Sequence, residues 1–145
     1  MSQATLRALV FVAFSAVLAG CGNSGTTTTP TTTTDTRSNE TFGATLNVGQ
    51  SQFYSFTTIS PGTTDITLVS IRPSGSVAST LSPVMGLGLG TPQATDCALS
   101  SAINTTPALK AQLSVATSVS TYCVKIADIG NLSGPVDYTI RVVHP

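Results

Sequence analysis

The sequence predicts an all-β domain over residues 39–145, folded as an antiparallel two-sheet β-sandwich of about seven strands with a jelly-roll or immunoglobulin-like topology. Three observations lead to this prediction. Apolar residues recur at every second position in several short segments, which is the period of half-buried strands. Turn-forming pairs such as Pro61-Gly62 separate these segments. Only 8% of the residues are charged, while Thr and Ser are frequent, and this composition favours strands over helices.

Seven segments show the strand pattern. In each of them the apolar side chains fall on one face, which a sandwich would turn inward. The predicted strands are residues 42–48, 51–58, 65–71, 84–90, 109–115, 122–126 and 138–142. Residues 109–115 also contain good helix formers, so a short helix is the alternative there. Residues 91–106 show no clear period and are expected to be irregular.

The segment from Val84 to Gly90 has an unusual second face. Met85, Leu87 and Leu89 alternate with three glycines. A strand face made of glycine alone indicates the close approach of another backbone or of a large side chain. We therefore expect part of the chain to lie against that face.

Residues 21–38 form a predicted tether. From Gly22 to Ser38 there is no Leu, Ile, Val or aromatic residue, so the segment cannot offset its ordering entropy by packing and is expected to be disordered. Its β-branched threonines and Pro30 favour an extended chain, which would reach on the order of 50 Å. The threonine tract is alternatively a site for O-linked sugar.

Residues 1–20 have the order of a secretory leader, because Arg7 precedes an apolar run over residues 8–18. That run is too short to cross a bilayer, which needs about 20 residues. It ends at Leu18-Ala19-Gly20-Cys21, which resembles the lipobox of bacterial lipoproteins. The alternative is an ordinary secretory leader that happens to be followed by a cysteine.

The lipobox resemblance implies that the signal peptide is removed before Cys21 and that this residue carries fatty acyl chains such as palmitate. Several acyl chains would hold the protein firmly on a membrane, since one chain alone gives only marginal binding. Gly22 stands where many Gram-negative lipoproteins carry Asp as an inner-membrane retention signal. The expected location is therefore the cell envelope, with the outer membrane favoured in a Gram-negative host.

Cys97 and Cys123 follow in a segment that the leader would send out of the cytosol, so they are predicted to form a disulfide. The bond would close a loop of about 27 residues and stabilise the domain by roughly 3 to 4 kcal/mol. Two thiols and the distant His144 fall short of the four ligands that zinc normally takes. We expect no metal and no cofactor.

No catalytic constellation is evident, and the protein is predicted not to be an enzyme. The only histidine is His144, which lacks an obvious partner nucleophile. The alternative is a small secreted hydrolase that uses Asp and Ser residues, with Asp96 and Asp128 as its candidate carboxylates. The formal net charge of +0 shows no footprint of a nucleic-acid-binding protein.

Asp128 and Asp137 flank a turn-rich stretch and suggest a calcium site if their strands pair as a hairpin. In such a hairpin the two apolar faces must coincide, which would send the two carboxylates to opposite sides of the sheet. We therefore expect Asp128 to accept hydrogen bonds from loop amides near Gly130 and Asn131 instead.

Three segments of the domain resemble the bacterial pre-peptidase C-terminal domain. They are Gly49 to Phe56 followed by Pro61-Gly62, Thr121 to Ile126, and Tyr138 to Ile140. The likeness covers about residues 41–143. It implies a jelly-roll-like sandwich with an accessory role in secretion or in substrate or surface binding, and it brings no catalytic residues.

The sequence thus predicts a membrane-anchored lipoprotein that displays a non-catalytic sandwich for binding or for an envelope-structural role. Its partners would be the membrane, through the N-terminal lipid, and an unidentified protein or glycan. A sugar platform would need exposed aromatic rings, but the chain has no Trp. Tyr54, Tyr122 and Tyr138 all fall on predicted core faces.

Overall fold

Eight β-strands form the framework of the described residues, which are 36–77 and 80–145 of a computed structural model of the chain. The predicted signal peptide, Cys21 and almost all of the predicted tether lie outside this range. Within it, no helix could span a membrane. The strands are β1 (Ser38–Leu46), β2 (Ser51–Thr58), β3 (Gly62–Pro73), β4 (Met85–Gln93), β5 (Asp96–Thr105), β6 (Leu113–Thr117), β7 (Ser120–Asp128) and β8 (Val136–His144).

The strands form two antiparallel four-stranded sheets. Sheet A has the order β1-β8-β3-β6, and sheet B has the order β2-β7-β4-β5. Every pairing is antiparallel. The predicted all-β two-sheet architecture is confirmed, with eight strands in place of about seven.

The additional strand is β5, in a stretch that the sequence analysis expected to be irregular. It lies at an edge of sheet B, where most of its side chains are exposed on both faces. The register also shifts at Ser100, because Leu89 pairs with Ser101 and Gly90 with Leu99. An exposed edge and a bulge remove the alternation by which strands are recognised.

The predicted strand over residues 109–115 is partly wrong, and its helical alternative is wrong. Strand β6 begins only at Leu113 and continues to Thr117. The residues before it form neither strand nor helix, and Leu109 is 88% exposed instead of facing the core. Leu113 is buried as predicted.

The core lies between the two sheets and is built from their inward-facing side chains. Tyr138 is buried within it, and Tyr54 and Tyr122 pack against it, as the sequence pattern predicts. Its fully buried aliphatic members include Leu46, Ile66, Leu68, Ile71, Leu87, Leu89, Val124, Ile126, Ile140 and Val142.

The glycine face of β4 is covered, which confirms the expectation from sequence. A Cβ atom added at Gly90 would lie 2.0 Å from the carbonyl oxygen of Ala98, and one added at Gly88 would lie 2.8 Å from the side chain of Leu99. Only glycine lets β5 approach β4 this closely at Gly90.

The sandwich has two ends that carry different loops. The first, which we call the entry end, holds the start of β1 at Ser38, the loops at residues 59–61 and 118–119, and Pro145. The second, the far end, holds residues 47–50, 74–77, 80–84 and 129–135, which connect β1 to β2, β3 to β4 and β7 to β8. The chain therefore reaches the sandwich at the entry end.

Candidate functional site

A disulfide joins Cys97 and Cys123, as the sequence predicts. Their Cα atoms are 5.9 Å apart, and both residues are buried. Cys97 lies in β5 and Cys123 in β7, although β4 stands between these strands in sheet B. The bond therefore fixes the β4–β5 hairpin across the outer face of β7.

Asp96 and Lys125 form an ion pair beside this disulfide. The Lys125 ammonium lies 2.6 Å from a carboxylate oxygen of Asp96. Its hydrogen bond, helped by the backbone amide of Cys97, lowers the pKa of Asp96 below its ordinary value. A carboxylate held ionised in this way is poorly suited to donate a proton as a general acid.

Asp128 binds loop amides, which confirms the expectation from sequence. Its Oδ1 atom accepts hydrogen bonds from the amides of Gly130 at 2.9 Å, Asn131 at 2.9 Å and Leu132 at 3.2 Å. Its Oδ2 atom accepts one from Gly49 at 2.8 Å. These hydrogen bonds lower the pKa of Asp128, and the bond from the Gly49 amide has the largest effect. One carboxylate thus ties the β1–β2 turn to the β7–β8 loop at the far end.

The hairpin assumed for Asp128 and Asp137 does not exist. Strand β7 pairs with β2 and β4, whereas β8 pairs with β1 and β3 in the other sheet. Asp137 accepts a hydrogen bond from the hydroxyl of Thr45 at 2.6 Å and another from the amide of Gly75 at 3.2 Å. These hydrogen bonds lower the pKa of Asp137, and the bond from Thr45 has the largest effect. The two carboxylates therefore serve separate loops.

His144 lies on the inner face of β8 and is buried. Its Nε2 atom is 3.0 Å from a carboxylate oxygen of Glu40, and its Nδ1 atom is 3.2 Å from the carbonyl oxygen of Pro145. The ring also packs on Phe56, with centroids 4.9 Å apart. Both ring nitrogens already have partners, so neither is free to activate a nucleophile.

A polar chain that the sequence analysis missed links the two sheets. The hydroxyls of Tyr54 and Tyr138 are 2.8 Å apart, and the Tyr138 hydroxyl donates to the side-chain oxygen of Gln52 at 2.7 Å. Burial raises the pKa of Tyr138, and the hydrogen bond to Tyr54 raises it further. Phe42 stacks on Tyr54 at a centroid distance of 4.8 Å. Gln52 gave no signal in the sequence because it follows Gln50 and Ser51, where another polar residue fits a surface position equally well.

Within residues 36–77 and 80–145, no cluster of three or more His, Cys, Asp or Glu side chains is arranged to hold a metal ion. The polar groups described above bond to one another or to the backbone. Their arrangement stabilises loops and the contact between sheets.

The chain matches no protein-family model and no curated protein. The resemblance to the pre-peptidase C-terminal domain therefore stays a prediction.

A cavity of about 390 Å³ opens at the far end. Two loops that are distant in sequence form its walls, so no local sequence motif could predict it. Its lining is mainly apolar and contains Pro73, Leu81, Ser82, Pro83, Asn131, Leu132, Ser133, Gly134, Pro135 and Val136.

Exposed aliphatic side chains also lie in or beside the far-end loops. Val77 is 91% exposed, and Val48, Val84 and Ile129 are also exposed. An apolar cavity and exposed apolar side chains at one end of a domain are typical of an interaction site. The far end is thus the best candidate for binding in the described part of the chain.

Proposed function

We propose that this chain is a bacterial lipoprotein, anchored through acyl chains on Cys21, that displays its sandwich as a non-catalytic module for binding or for an envelope-structural role. Its place is the cell envelope, and the outer membrane in a Gram-negative host. The anchor is supported by the leader and the lipobox-like Leu18-Ala19-Gly20-Cys21.

The observation that carries the display function is the position of the far-end cavity. The chain reaches the sandwich at Ser38, at the entry end, whereas the cavity lies between the loops of the opposite end. A domain tethered at one end presents the other end outward. The far end is then the surface that a partner meets first.

The chemistry of the far end favours a protein partner over a glycan. Its cavity has a mainly apolar lining, its loops expose aliphatic side chains, and the chain has no Trp to stack on a sugar ring. Tyr54 and Tyr138 are engaged inside the sandwich. Aliphatic surface with a few polar groups suits an apolar segment of another protein.

The anchor is tested on protein isolated from native envelopes. Mass spectrometry should find a chain that begins at Cys21 and carries acyl groups there. Cys21→Ala should release the protein from the membrane fraction. In a Gram-negative host, Gly22→Asp should keep the protein on the membrane but move it to the inner one. An unmodified thiol at position 21, or a chain that still begins with Met1, would overturn the anchor.

Binding is tested by crosslinking in native envelopes, with the protein tagged at its C-terminus. A single reproducible partner should be lost in Val77→Asp and Val48→Asp, which place charges at the far end. Leu109→Asp is the control, because that side chain is 88% exposed but lies outside the far end. Equal loss of the partner in all three variants would contradict the proposal that the partner binds at the far end.

The hydrolase alternative makes a different prediction. It requires turnover of a chromogenic ester, glycoside or peptide that is lost in Asp96→Asn or Asp128→Asn. The hydrogen bonds of these carboxylates argue against it, because Asp96 pairs with Lys125 and Asp128 binds four loop amides.

A further inference from the structure

We propose that the entry end of the sandwich rests on the lipid surface, with the side chains of Ile59 and Val119 inserted into the bilayer interface. This inference rests on the lipid anchor proposed above. It adds an orientation for the domain and names the residues that touch lipid.

The two loops that carry these side chains lie side by side. Thr58 and Ser120 are partners in the pairing of β2 with β7. The Thr58 hydroxyl donates to the carbonyl oxygen of Ser120 at 3.1 Å and accepts from its amide at 3.2 Å. Ile59 follows Thr58 and Val119 precedes Ser120, so the two aliphatic side chains project from adjacent loop tips.

Both side chains are largely in solvent. Ile59 is 79% exposed and Val119 is 63% exposed. Neither loop, nor the strand residues that flank it over 57–64 and 115–122, contains a charged residue. Ser60 and Ser118 stand beside the aliphatic tips. Aliphatic groups bordered by hydroxyls suit the boundary between acyl chains and headgroups, where a charge would be costly.

The charged side chains close to the start of β1 and the end of β8 are paired. Arg37 lies 2.7 Å from a carboxylate oxygen of Asp65, and Glu40 contacts the buried ring of His144. A surface that approaches lipid then has no isolated charge to desolvate at these positions.

The position of the anchor selects this end over the far end, although the far end is also apolar. Ser38 pairs with His144, and the Ile59 amide donates to the carbonyl oxygen of Pro145 at 3.2 Å. The chain thus enters the sandwich beside Ile59. The predicted tether has only 16 residues between Cys21 and Ser38, and a flexible chain of that length would have an end-to-end distance of roughly 20 to 24 Å, while its extended reach would be on the order of 50 Å. The lipid is therefore within range of this end.

Tryptophan fluorescence provides the test, because the chain contains no Trp. Ile59→Trp and Val119→Trp each place a single fluorophore at a loop tip, and Val77→Trp places one at the far end. Each full-length lipidated protein is reconstituted into phosphatidylcholine vesicles with or without brominated acyl chains. We expect a blue shift and a loss of emission to brominated lipid for Ile59→Trp and Val119→Trp, with neither change for Val77→Trp.

Two failures are distinguishable. Protein that floats with the vesicles but shows no quenching at positions 59 and 119, or equal quenching at position 77, would overturn the lipid contact and leave the anchor intact. Protein that does not float would overturn the anchor and the lipid contact together.

Discussion

The side-chain amide of Gln112 takes the place of a neighbouring strand for the backbone of Leu68. Its oxygen accepts from the Leu68 amide at 2.8 Å, and its nitrogen donates to the Leu68 carbonyl oxygen at 3.1 Å. Strand β6 pairs with β3 only as far as Ile66. Gln112 therefore protects the edge of β3 that β6 no longer covers, while β8 pairs with the other edge.

Replacing Gln112 should destabilise the domain. Gln112→Ala removes both side-chain bonds; the Leu68 carbonyl oxygen keeps its bond from the Ala108 amide, but the Leu68 amide loses its partner, which should cost about 1 to 3 kcal/mol of unfolding free energy. Urea unfolding measures this cost. Gln93→Ala, at an exposed position, should change stability little. Equal effects of the two substitutions would contradict the role given to Gln112.

Removing the disulfide should cost about 3 to 4 kcal/mol, since Cys97 and Cys123 are 26 positions apart in sequence and the bond restricts the unfolded chain accordingly. Denaturant unfolding of the Cys97→Ala/Cys123→Ala double variant measures this loss. Reductant should weaken the wild-type protein and leave the double variant unchanged. Labelling of both thiols in folded, unreduced protein would show that the bond is absent.

The glycines of β4 should differ in their tolerance of a methyl group. Gly90→Ala directs its Cβ at the backbone of Ala98, whereas the nearest atoms to a Cβ at Gly88 are the two methyl groups of Leu99, a side chain that is partly exposed and can move, and the carbonyl oxygen of Ser101 lies at 3.0 Å. We expect Gly90→Ala to cost at least about 1 to 3 kcal/mol and Gly88→Ala clearly less. Thermal melting of the two variants provides the comparison. The reverse order would contradict the packing of β5 on β4.

Acid should weaken the domain partly through Asp128. Because hydrogen bonds lower its pKa in the folded state, its contribution is fully present above the unfolded pKa of about 3.9 and is lost as the pH falls through the folded value. Urea unfolding at neutral pH and near pH 3 should show a smaller acid-induced loss in Asp128→Asn than in the wild type. Asp96 and Asp137 have pKa shifts in the same direction, so some acid sensitivity should remain.

Calcium should not change the melting temperature. Both oxygens of Asp128 already accept backbone hydrogen bonds, and Asp137 bonds to a different loop. Thermal melts with added calcium and with a chelator should coincide. A melt raised by calcium would show that the ion displaces these amides.

The strands with a buried and an exposed face could be predicted from the sequence, because burial on one side imposes the alternation of residue types. Strand β4 is an example, since Met85, Leu87 and Leu89 are all buried. Strand β5 lacks this constraint, because it lies at an edge and bulges at Ser100. Residues 109–112 were misread as strand because Leu109 follows the apolar pattern although the structure exposes it.

The candidate site was harder to predict than the strands. The disulfide followed from a count of cysteines, and the role of Asp128 followed from the glycine and asparagine beyond it, since both signals are local. The far-end cavity and the contact of Ile59 with Pro145 join residues far apart along the chain. These contacts depend on which strands pair in the same sheet. The alternation of apolar residues identifies a strand but does not specify the sheet to which it belongs.

Strand β8 follows the other seven along the chain, yet it occupies an interior place in sheet A and pairs with both β1 and β3. Those two strands have no direct pairing with each other, so sheet A cannot assemble until residues 136–144 are available. Sheet A is therefore completed only once the last strand is available, although sheet B and the pairing of β3 with β6 do not need β8. If the chain is exported from its N-terminus, as proposed above, the inner face of sheet A cannot be fully buried before residues 136–144 have crossed the membrane.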